Sequence, residues 1–384
     1  MISKSLRGIA VALLIGTSAA SVAMLSTAST AEAAGVRPQV GKPLQEAIAL
    51  ANAGKGSAAM EKVHEAERVP GLTAAEKQVI SQTEQFVAVK TGDFSGGVTN
   101  ATTAKAKFAS DYNRRKYHDV VTTDVDLLKK FGALDAQSQL IVAQAYTEMG
   151  DYKSAMSYLN TLGNGDTVLS QKLYIAGKLG DTDAQRQAAE QLVLKGQAKY
   201  WPYLFIAADN TAGLSDAERF DVYRLRLLTG NMRNADDYSN AAQLGMVLKL
   251  PQEAVKIEQA GFDAKVLSGA RQQRLLDLIK KQADQQAAQL PALAKQAEAA
   301  KTGDALVQLG SIYAGIGRAD DAVTAIEAGI KKGVKNPDDA QIRLGIAYMN
   351  AKKKSQALRA FDSVKTDPKA KVDARLWSTY VRSH

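Results

Sequence analysis

Two segments near the end of the chain repeat the same pattern of apolar and polar positions. Residues 309–330 read LGSIYAGIGRADDAVTAIEAGI, and residues 344–364 read LGIAYMNAKKKSQALRAFDSV. Apolar residues recur in both at spacings of three and four, which is typical of amphipathic helices. The matching positions, 35 apart throughout, are Leu309/Leu344, Gly310/Gly345, Tyr313/Tyr348, Ala322/Ala357 and Ile326/Phe361. This pattern of matching residues, which we call the frame, recurs at a fixed offset and therefore predicts repeated helical hairpins.

The shared positions explain how such a hairpin would pack. Leu, Gly and Tyr at i, i+1 and i+4 lie on one face of a first helix. Gly310 would let the second helix approach closely, and Ala322 would lie where the two helices cross. A bulky residue four positions later, Ile326, would fill the remaining gap. Gly317 would end the first helix in a left-handed conformation.

The same frame recurs upstream. Residues 139–162 have Ala143, Tyr146, Gly150, Ala155 and Leu159 in the matching places, and weaker copies lie in 51–70, 87–104, 173–192 and 241–261. On these residues the chain resembles the tetratricopeptide-repeat (TPR) superfamily. The resemblance implies an all-α, TPR-like solenoid, that is, a superhelix of helical hairpins with degenerate repeats, which binds protein partners through its concave face.

The frame also predicts the domain organisation. Residues 1–33 would be a signal peptide and 34–42 an extended lead-in. Degenerate TPR-like repeats would fill 43–262, and two long helices, at about 265–283 and 288–301, would fill 263–302. Two clear repeats and a C-terminal capping helix with a polar outer face would complete 303–384. A seam is expected near 261–270.

The N-terminus has the parts of a secretory signal. Lys4 and Arg7 precede the apolar run Gly8–Gly16, and the sequence Ala31-Glu32-Ala33 supplies an A-x-A site. Cleavage is expected after Ala33, with retention of the segment as a membrane anchor as the alternative. The chain has no cysteine, so it is not a bacterial lipoprotein, and disulfides and thiolate metal sites are excluded. We therefore expect a periplasmic protein.

Composition and charge narrow the partners. Hydrophobic residues make up 46% of the chain and aromatic residues 6%, which favours close-packed helices. The formal charge is +9; without Lys4, Arg7 and Glu32 it becomes 9 − 2 + 1 = +8. For an exported protein, anionic lipid headgroups, acidic glycans or an acidic protein would be the counterparts, rather than nucleic acid. Solubility alone explains the charge equally well.

No arrangement of residues points to catalysis. The three histidines, His64, His118 and His384, have no partner histidine at helical spacing, and nucleotide-binding and nucleophile motifs are absent from the sequence. Adjacent carboxylates occur at 236–237, 320–321 and 338–339, where we expect them to stabilise helix N-termini. The sequence therefore predicts no enzyme, no cofactor and no metal site.

Two groups of residues are candidates for binding. The first comprises first-helix positions that the packing frame leaves for a concave face: Ile141, Gln144, Thr147, Val307, Gln308, Ser311, Ile342, Arg343, Ile346 and Asn350. The second is the aromatic patch Tyr200, Trp201 and Tyr203, which would either cradle a ligand or pack at a helix start.

The leading hypothesis is a non-enzymatic periplasmic scaffold or adaptor that binds partner proteins through its concave groove in envelope assembly or organisation. The alternative is a periplasmic carrier for a lipid or glycan. A closed apolar cavity would favour the carrier, whereas an open groove would favour a peptide partner.

Overall fold

The computed structural model describes residues 36–384, in which the chain forms helices and turns and no β-strand. The predicted all-α class is confirmed. The signal-peptide prediction lies outside the described residues. The helices form two compact units that divide between Asn164 and Gly165.

Unit 1 covers residues 36–164. A π-helical turn at Val120–Asp124 joins its fifth and sixth helices. The helices are α1 (Pro38–Asn52), α2 (Gly56–Glu67), α3 (Ala74–Thr91), α4 (Ala101–Asn113), α5 (Tyr117–Asp119), α6 (Val125–Lys130), α7 (Ala136–Glu148) and α8 (Tyr152–Asn160).

Unit 2 covers residues 165–384. A 3₁₀ turn at Ala198–Tyr200 precedes its third helix. The helices are α9 (Asp166–Leu179), α10 (Thr182–Leu194), α11 (Trp201–Asp209), α12 (Asp216–Leu228), α13 (Ala235–Val247), α14 (Pro251–Asp263), α15 (Ala270–Ala299), α16 (Asp304–Gly315), α17 (Ala319–Lys332), α18 (Pro337–Asn350), α19 (Lys354–Asp362) and α20 (Pro368–Ser383).

Local sequence signals set many of these boundaries. Thr73 and Glu76 form a reciprocal capping box at the start of α3, and Ser215 and Glu218 form another at α12, which satisfies N–H groups that the first turn would otherwise leave unpaired. Gly317 has φ +85° in the turn between α16 and α17, as its role at the end of a first helix requires.

The predicted packing frame is confirmed in α16–α19. A Cβ at Gly310 would lie 2.9 Å from the carbonyl oxygen of Ala322 and 3.0 Å from Cδ1 of Ile326, so only glycine lets the helices meet there. In the degenerate hairpin of α9 and α10, Gln185 replaces the expected alanine. Its side chain lies against Gly177, where a Cβ would be 2.8 Å from the amide nitrogen, so a glycine on the facing helix makes room for the larger residue.

Three boundary predictions were wrong. The extended lead-in is helical from Pro38, because a proline fits the first turn of α1. The two long helices predicted for 263–302 are the single helix α15, which contains Pro291; Pro291 and Ala287 are both exposed, so the carbonyl that the proline leaves unpaired can be hydrated. The seam expected near 261–270 is a packed turn.

That turn is anchored by Leu267, which is buried in a cluster with Tyr238 and Ile257. The side chain of Leu267 fills the space above Gly261. The chain therefore continues through this region as part of unit 2, and the boundary between the units lies elsewhere.

The predicted C-terminal capping helix is α20. Its side chains Lys371, Arg375 and Arg382 are exposed, whereas Leu376, Trp377 and Val381 are buried in the main core of unit 2. It packs on α18 and α19, and also on α10, α11 and α12 from the beginning of the unit. The helix thus joins the two ends of unit 2.

Candidate functional site

Four of the predicted inner-face residues come together in unit 2. Val307, Gln308 and Ser311 of α16 and Arg343 of α18 line one pocket of about 170 Å³, which we call the inner pocket. The rest of its lining is Ala217, Leu248, Leu250, Asp304, Val334, Asn336, Asp339 and Ala340.

Hydrogen bonds fix the walls of the inner pocket. Gln308 donates from Nε2 to the carbonyl of Leu248 at 3.0 Å, and the Ser311 hydroxyl donates to the carbonyl of Val307 at 3.1 Å. The first bond ties α16 to the turn between α13 and α14. Asn336, which is exposed at the start of α18, forms part of the rim.

The other inner-face residues of α18 lie differently. Ile342 and Ile346 are 1% and 6% exposed and belong to the main core of unit 2, while Asn350 is exposed at the end of the helix. Unit 2 is closed around these isoleucines, so they do not line an open groove in this structure. Within unit 2, the burial of Ile342 and Ile346 leaves the residues around the inner pocket and the exposed Asn350 as predicted partner contacts.

The inner-face residues of unit 1 lie on α7. Ile141 is buried in the core of that unit, and Gln144 and Thr147 are half-buried. The Thr147 hydroxyl donates to the carbonyl of Ala143 within the same helix, at 2.9 Å. These three positions remain a prediction for partner contact.

Arg343 connects the inner pocket to a buried ion network. Its Nη1 donates to Oδ1 of Asp221 at 2.8 Å, and its Nη2 to Oδ1 of Asp339 at 3.0 Å. Asp221 also accepts from Arg224 at 2.6 Å, and Arg224 in turn bonds Glu253 of α14. The network holds α12, α14 and α18 together.

The charges of the network keep Arg343 ionised. Burial alone would lower the pKa of Arg343, but the charges of Asp221 and Asp339 outweigh that effect and raise it. Such a buried guanidinium is stable only while its carboxylates remain in place. Its positive charge is therefore already balanced inside unit 2 and is not free to attract an anion into the pocket.

Carboxylates in the first turns of α16 and α18 hold the loops beside the inner pocket. Asp304 accepts the backbone N–H of Lys335 at 2.9 Å. Asp338 accepts the backbone N–H groups of Lys365, Thr366 and Asp367 at 3.2, 2.7 and 2.7 Å. Although burial opposes the shift, the Thr366 hydroxyl, which donates to Oδ2 of Asp338 at 2.6 Å, and these backbone hydrogen bonds lower the pKa of Asp338 to about 2.

The adjacent carboxylate pairs lie where the sequence placed them. Residues 236–237, 320–321 and 338–339 all occupy the first turns of α13, α17 and α18, where they stabilise the positive end of the helix dipole. Among residues 36–384, no group of three or more histidine, aspartate or glutamate side chains is placed to hold a metal ion.

The aromatic patch is part of the core. Trp201 is 1% exposed and stacks on Phe205, with ring centroids 5.5 Å apart, and it also approaches Tyr380 of α20 at 6.3 Å. Tyr200 is buried and its hydroxyl pairs with Ser170, while Tyr203 is half-buried. Of the two interpretations, packing describes the observed positions of these rings.

Sequence reasoning missed Asp221 and Asp373. They are 0% and 2% exposed, on α12 and α20; Phe220 and Val222 flank Asp221, and Val372 and Ala374 flank Asp373. Both belong to helices that come together only when the ends of unit 2 meet, so no local pattern marks them.

Comparisons with known proteins agree with the hairpin geometry. Residues 136–162, which span α7 and α8, and residues 339–370, which span α18, α19 and the start of α20, both match models of the tetratricopeptide repeat. The chain carries TPR repeats. Each matched segment is a helical pair of the kind described above, so the recognition of a TPR-like, all-α solenoid is confirmed. No curated protein sequence matches the chain.

Solved structures with similar stretches include the APC/C hetero-tetramer Cut9-Hcn1 and Naa15/Naa10 bound to HypK-THB. The alignment with the first has 12% sequence identity and a TM-score of 0.24, and it covers 76% of this chain and 64% of that chain. The second shares 16% identity, covers 85% and 58%, and has a TM-score of 0.32. The chain spans less than two-thirds of the length of either, and these TM-scores are too low to indicate a shared function.

The described residues contain no helix that is both long and apolar enough to span a bilayer.

Proposed function

We propose that this TPR-repeat protein is a non-enzymatic scaffold that binds a partner protein, and that the inner pocket of unit 2 is a point of contact. The observation that carries the proposal is the convergence of Val307, Gln308, Ser311 and Arg343 on one pocket. These are inner-face positions of a repeat whose general role is protein binding, and TPR folds are typically non-catalytic.

The chemistry of the inner pocket indicates what would fit. Leu248, Leu250 and Val334 supply apolar walls, and Asp304 and Asp339 supply carboxylates, while Arg343 is already neutralised. At about 170 Å³ the pocket has room for one side chain. A partner segment that inserts an apolar side chain next to a lysine or arginine would match both features.

The location is part of the proposal. A basic start, an apolar run and the A-x-A site at 31–33 support export to the periplasm and cleavage after Ala33, which would place the scaffold among envelope proteins. Mass spectrometry of the mature chain from its native host should give an N-terminus at Ala34. A chain that retains residues 1–33 in the membrane fraction would contradict the cleavage and support an anchor.

The carrier alternative finds less support. The inner pocket and three other pockets in unit 2 hold about 170–410 Å³, are open to solvent and have charged side chains in their linings. A lipid carrier would need an enclosed apolar cavity.

A rim variant tests the scaffold proposal. Asn336 is exposed, and its side chain makes no capping bond at the start of α18, so Asn336→Trp should obstruct the inner pocket without unfolding unit 2. The matched control is Gln285→Trp on the exposed face of α15. A partner recovered by in-cell crosslinking with the wild type and the control, but not with Asn336→Trp, would support the proposal. Equal recovery with both variants would place the partner elsewhere.

A further inference from the structure

Unit 2 is closed by an interface that includes a pair of buried carboxyl groups. Asp373 of α20 and Asp221 of α12 are 2% and 0% exposed. Both oxygens of Asp373 and Oδ2 of Asp221 have no hydrogen-bond donor. Oδ1 of Asp221 already accepts from Arg224 and Arg343. A buried carboxylate without a donor is costly, because burial removes the water that would solvate it.

The charge balance around the pair favours a proton on Asp373. With Asp373 ionised, the cluster would hold five carboxylates and two guanidinium groups: Glu218, Asp221, Asp339, Glu253 and Asp373 against Arg224 and Arg343. A proton on Asp373 removes one of the excess charges. It also supplies the O–H donor that Oδ2 of Asp221 lacks, as in other carboxyl pairs that share one proton.

We propose that unit 2 contains a proton-dependent latch, in which neutral Asp373 holds α20 against α12 and α18, and loss of this proton loosens α20. The feature that makes the latch specific to α20 is its position. Asp373 lies on α20, and α20 packs both on α10–α12 and on α18 and α19. The proposal does not depend on the identity of any partner.

The energetics agree in direction. Burial raises the pKa of Asp373 well above its ordinary value, the neighbouring Asp221 raises it further, and Arg343 offsets only part of the shift. Several charged groups on the helices packed against α20 have partners other than Asp373. Glu218 of α12 accepts from the backbone N–H and hydroxyl of Ser215, Asp209 of α11 bonds Arg226, and Asp339 of α18 bonds Arg343. Glu190 of α10 and Asp362 of α19 bond Arg375 and Arg382 of α20 itself.

The sign of the pH dependence follows. Asp373 binds its proton more tightly in the folded than in the unfolded chain, so its contribution to stability is complete below the unfolded pKa of about 3.9. The contribution then falls as the pH rises, until the pKa of the folded state is passed. Within that window, one proton changes the unfolding equilibrium constant by up to about tenfold per pH unit.

The two tryptophans make α20 easy to observe. Trp377 lies in α20, Trp201 lies in α11, and both approach Tyr380 of α20. They are the only tryptophans in the chain. Trp201→Phe leaves Trp377 as a single fluorophore whose emission shifts to the red when α20 becomes solvated.

The decisive experiment compares wild type with Asp373→Asn by denaturant unfolding between pH 5 and pH 9. The asparagine amide can donate to Asp221 at every pH. We expect the wild type to lose stability as the pH rises and the variant to lose less. The ratio of their unfolding equilibrium constants should change by up to about tenfold per pH unit. Parallel pH dependences in the two proteins would overturn the latch.

A second measurement localises the effect and needs no variant. Hydrogen exchange of residues 368–383, corrected for the intrinsic rate, should show α20 opening more often at pH 9 than at pH 6, while α16 and α17 change less. In ¹³C NMR of aspartate-labelled wild type, the Asp373 carboxyl should titrate well above the ordinary range. Titration of that carbon at an ordinary pKa would overturn the proposal, even if Asp373→Asn failed to fold.

Asp221→Asn distinguishes the latch from general loss of a buried polar residue. Asp221 is a carboxylate that pairs with both Arg224 and Arg343. Its replacement by asparagine removes a negative charge that both buried guanidinium groups need. We expect this variant to be destabilised at every pH, in contrast to Asp373→Asn. Equal destabilisation by the two substitutions would mean that Asp373 is also an ionised partner of the arginines.

Discussion

Gly345 of α18 lies directly against the ring of Phe361 of α19. A Cβ at Gly345 would be 2.6 Å from Cζ of that ring, and the ring is buried. Gly310 and Ile326, each 35 positions earlier, have the same relationship in α16 and α17. The sequence therefore repeats one pairing: a glycine on the first helix faces a large side chain on the second helix.

This relationship predicts the effect of adding one methyl group. Gly345→Ala should destabilise unit 2 by about 1–3 kcal/mol, because the ring of Phe361 or the helix must move to make room. Thermal unfolding followed by tryptophan fluorescence measures the loss. Gly165→Ala is the control within unit 2, since a Cβ there meets nothing within 4 Å. If Gly345→Ala left the transition unchanged, the close approach of α18 and α19 would be refuted.

A substitution in the turn between α18 and α19 should increase the stability of unit 2. Lys352 has φ +60°, at the position where the preceding repeat has Gly317 with φ +85°. A side chain in this conformation costs about 1–2 kcal/mol, and glycine gives back part of that through its greater freedom in the unfolded chain. Lys352→Gly should therefore stabilise unit 2 by about 0.5–1 kcal/mol in denaturant unfolding. The reciprocal Gly317→Ala should destabilise it, and a gain in stability there would contradict the interpretation of the turn.

The stability of unit 1 should depend on the ionisation of Glu76, with a pH dependence opposite in sign to that of Asp373. Hydrogen bonds from the Arg37 side chain and from the backbone of Thr73 and Arg37 lower the pKa of Glu76 to about 2. Its contribution to stability is present above the unfolded pKa of about 4.3 and is lost as the pH falls towards 2. Glu76→Gln should weaken unit 1 at neutral pH and flatten its acid dependence.

Hydrogen exchange of residues 74–91 checks this prediction, because α3 begins at the capping box that Glu76 completes. The tryptophan signal of unit 2 is the internal control and should not change. Glu76→Gln with wild-type exchange at both pH 3 and pH 7 would contradict the assignment.

The sequence predicted the local geometry well, for a physical reason. Gly310, Ala322 and Ile326 contact one another within a single hairpin, so the need for a small or large residue appears at fixed spacings in the chain. The same holds for the carboxylates at helix starts and for Gly317. These features depend on neighbours within about 20 positions, and the frame records them directly.

Non-local contacts were not predictable in this way. Asp221 meets Asp373, and Trp201 approaches Tyr380, only because α20 packs on helices from the beginning of unit 2. That closure also buries Ile342 and Ile346, which the repeat frame alone assigns to an open concave face. The curvature of successive hairpins determines these contacts, and it accumulates over many small packing angles that no single repeat encodes.

The most direct test of the scaffold account is site-specific photo-crosslinking in living cells. A photoreactive amino acid replaces Asn336 at the rim of the inner pocket and, in a control, Gln285 on α15. We expect position 336 to capture one recurrent protein and position 285 not to capture it. If the two positions captured the same set of proteins, or if position 336 captured none while the protein remained folded, the inner pocket would not be a partner-binding site.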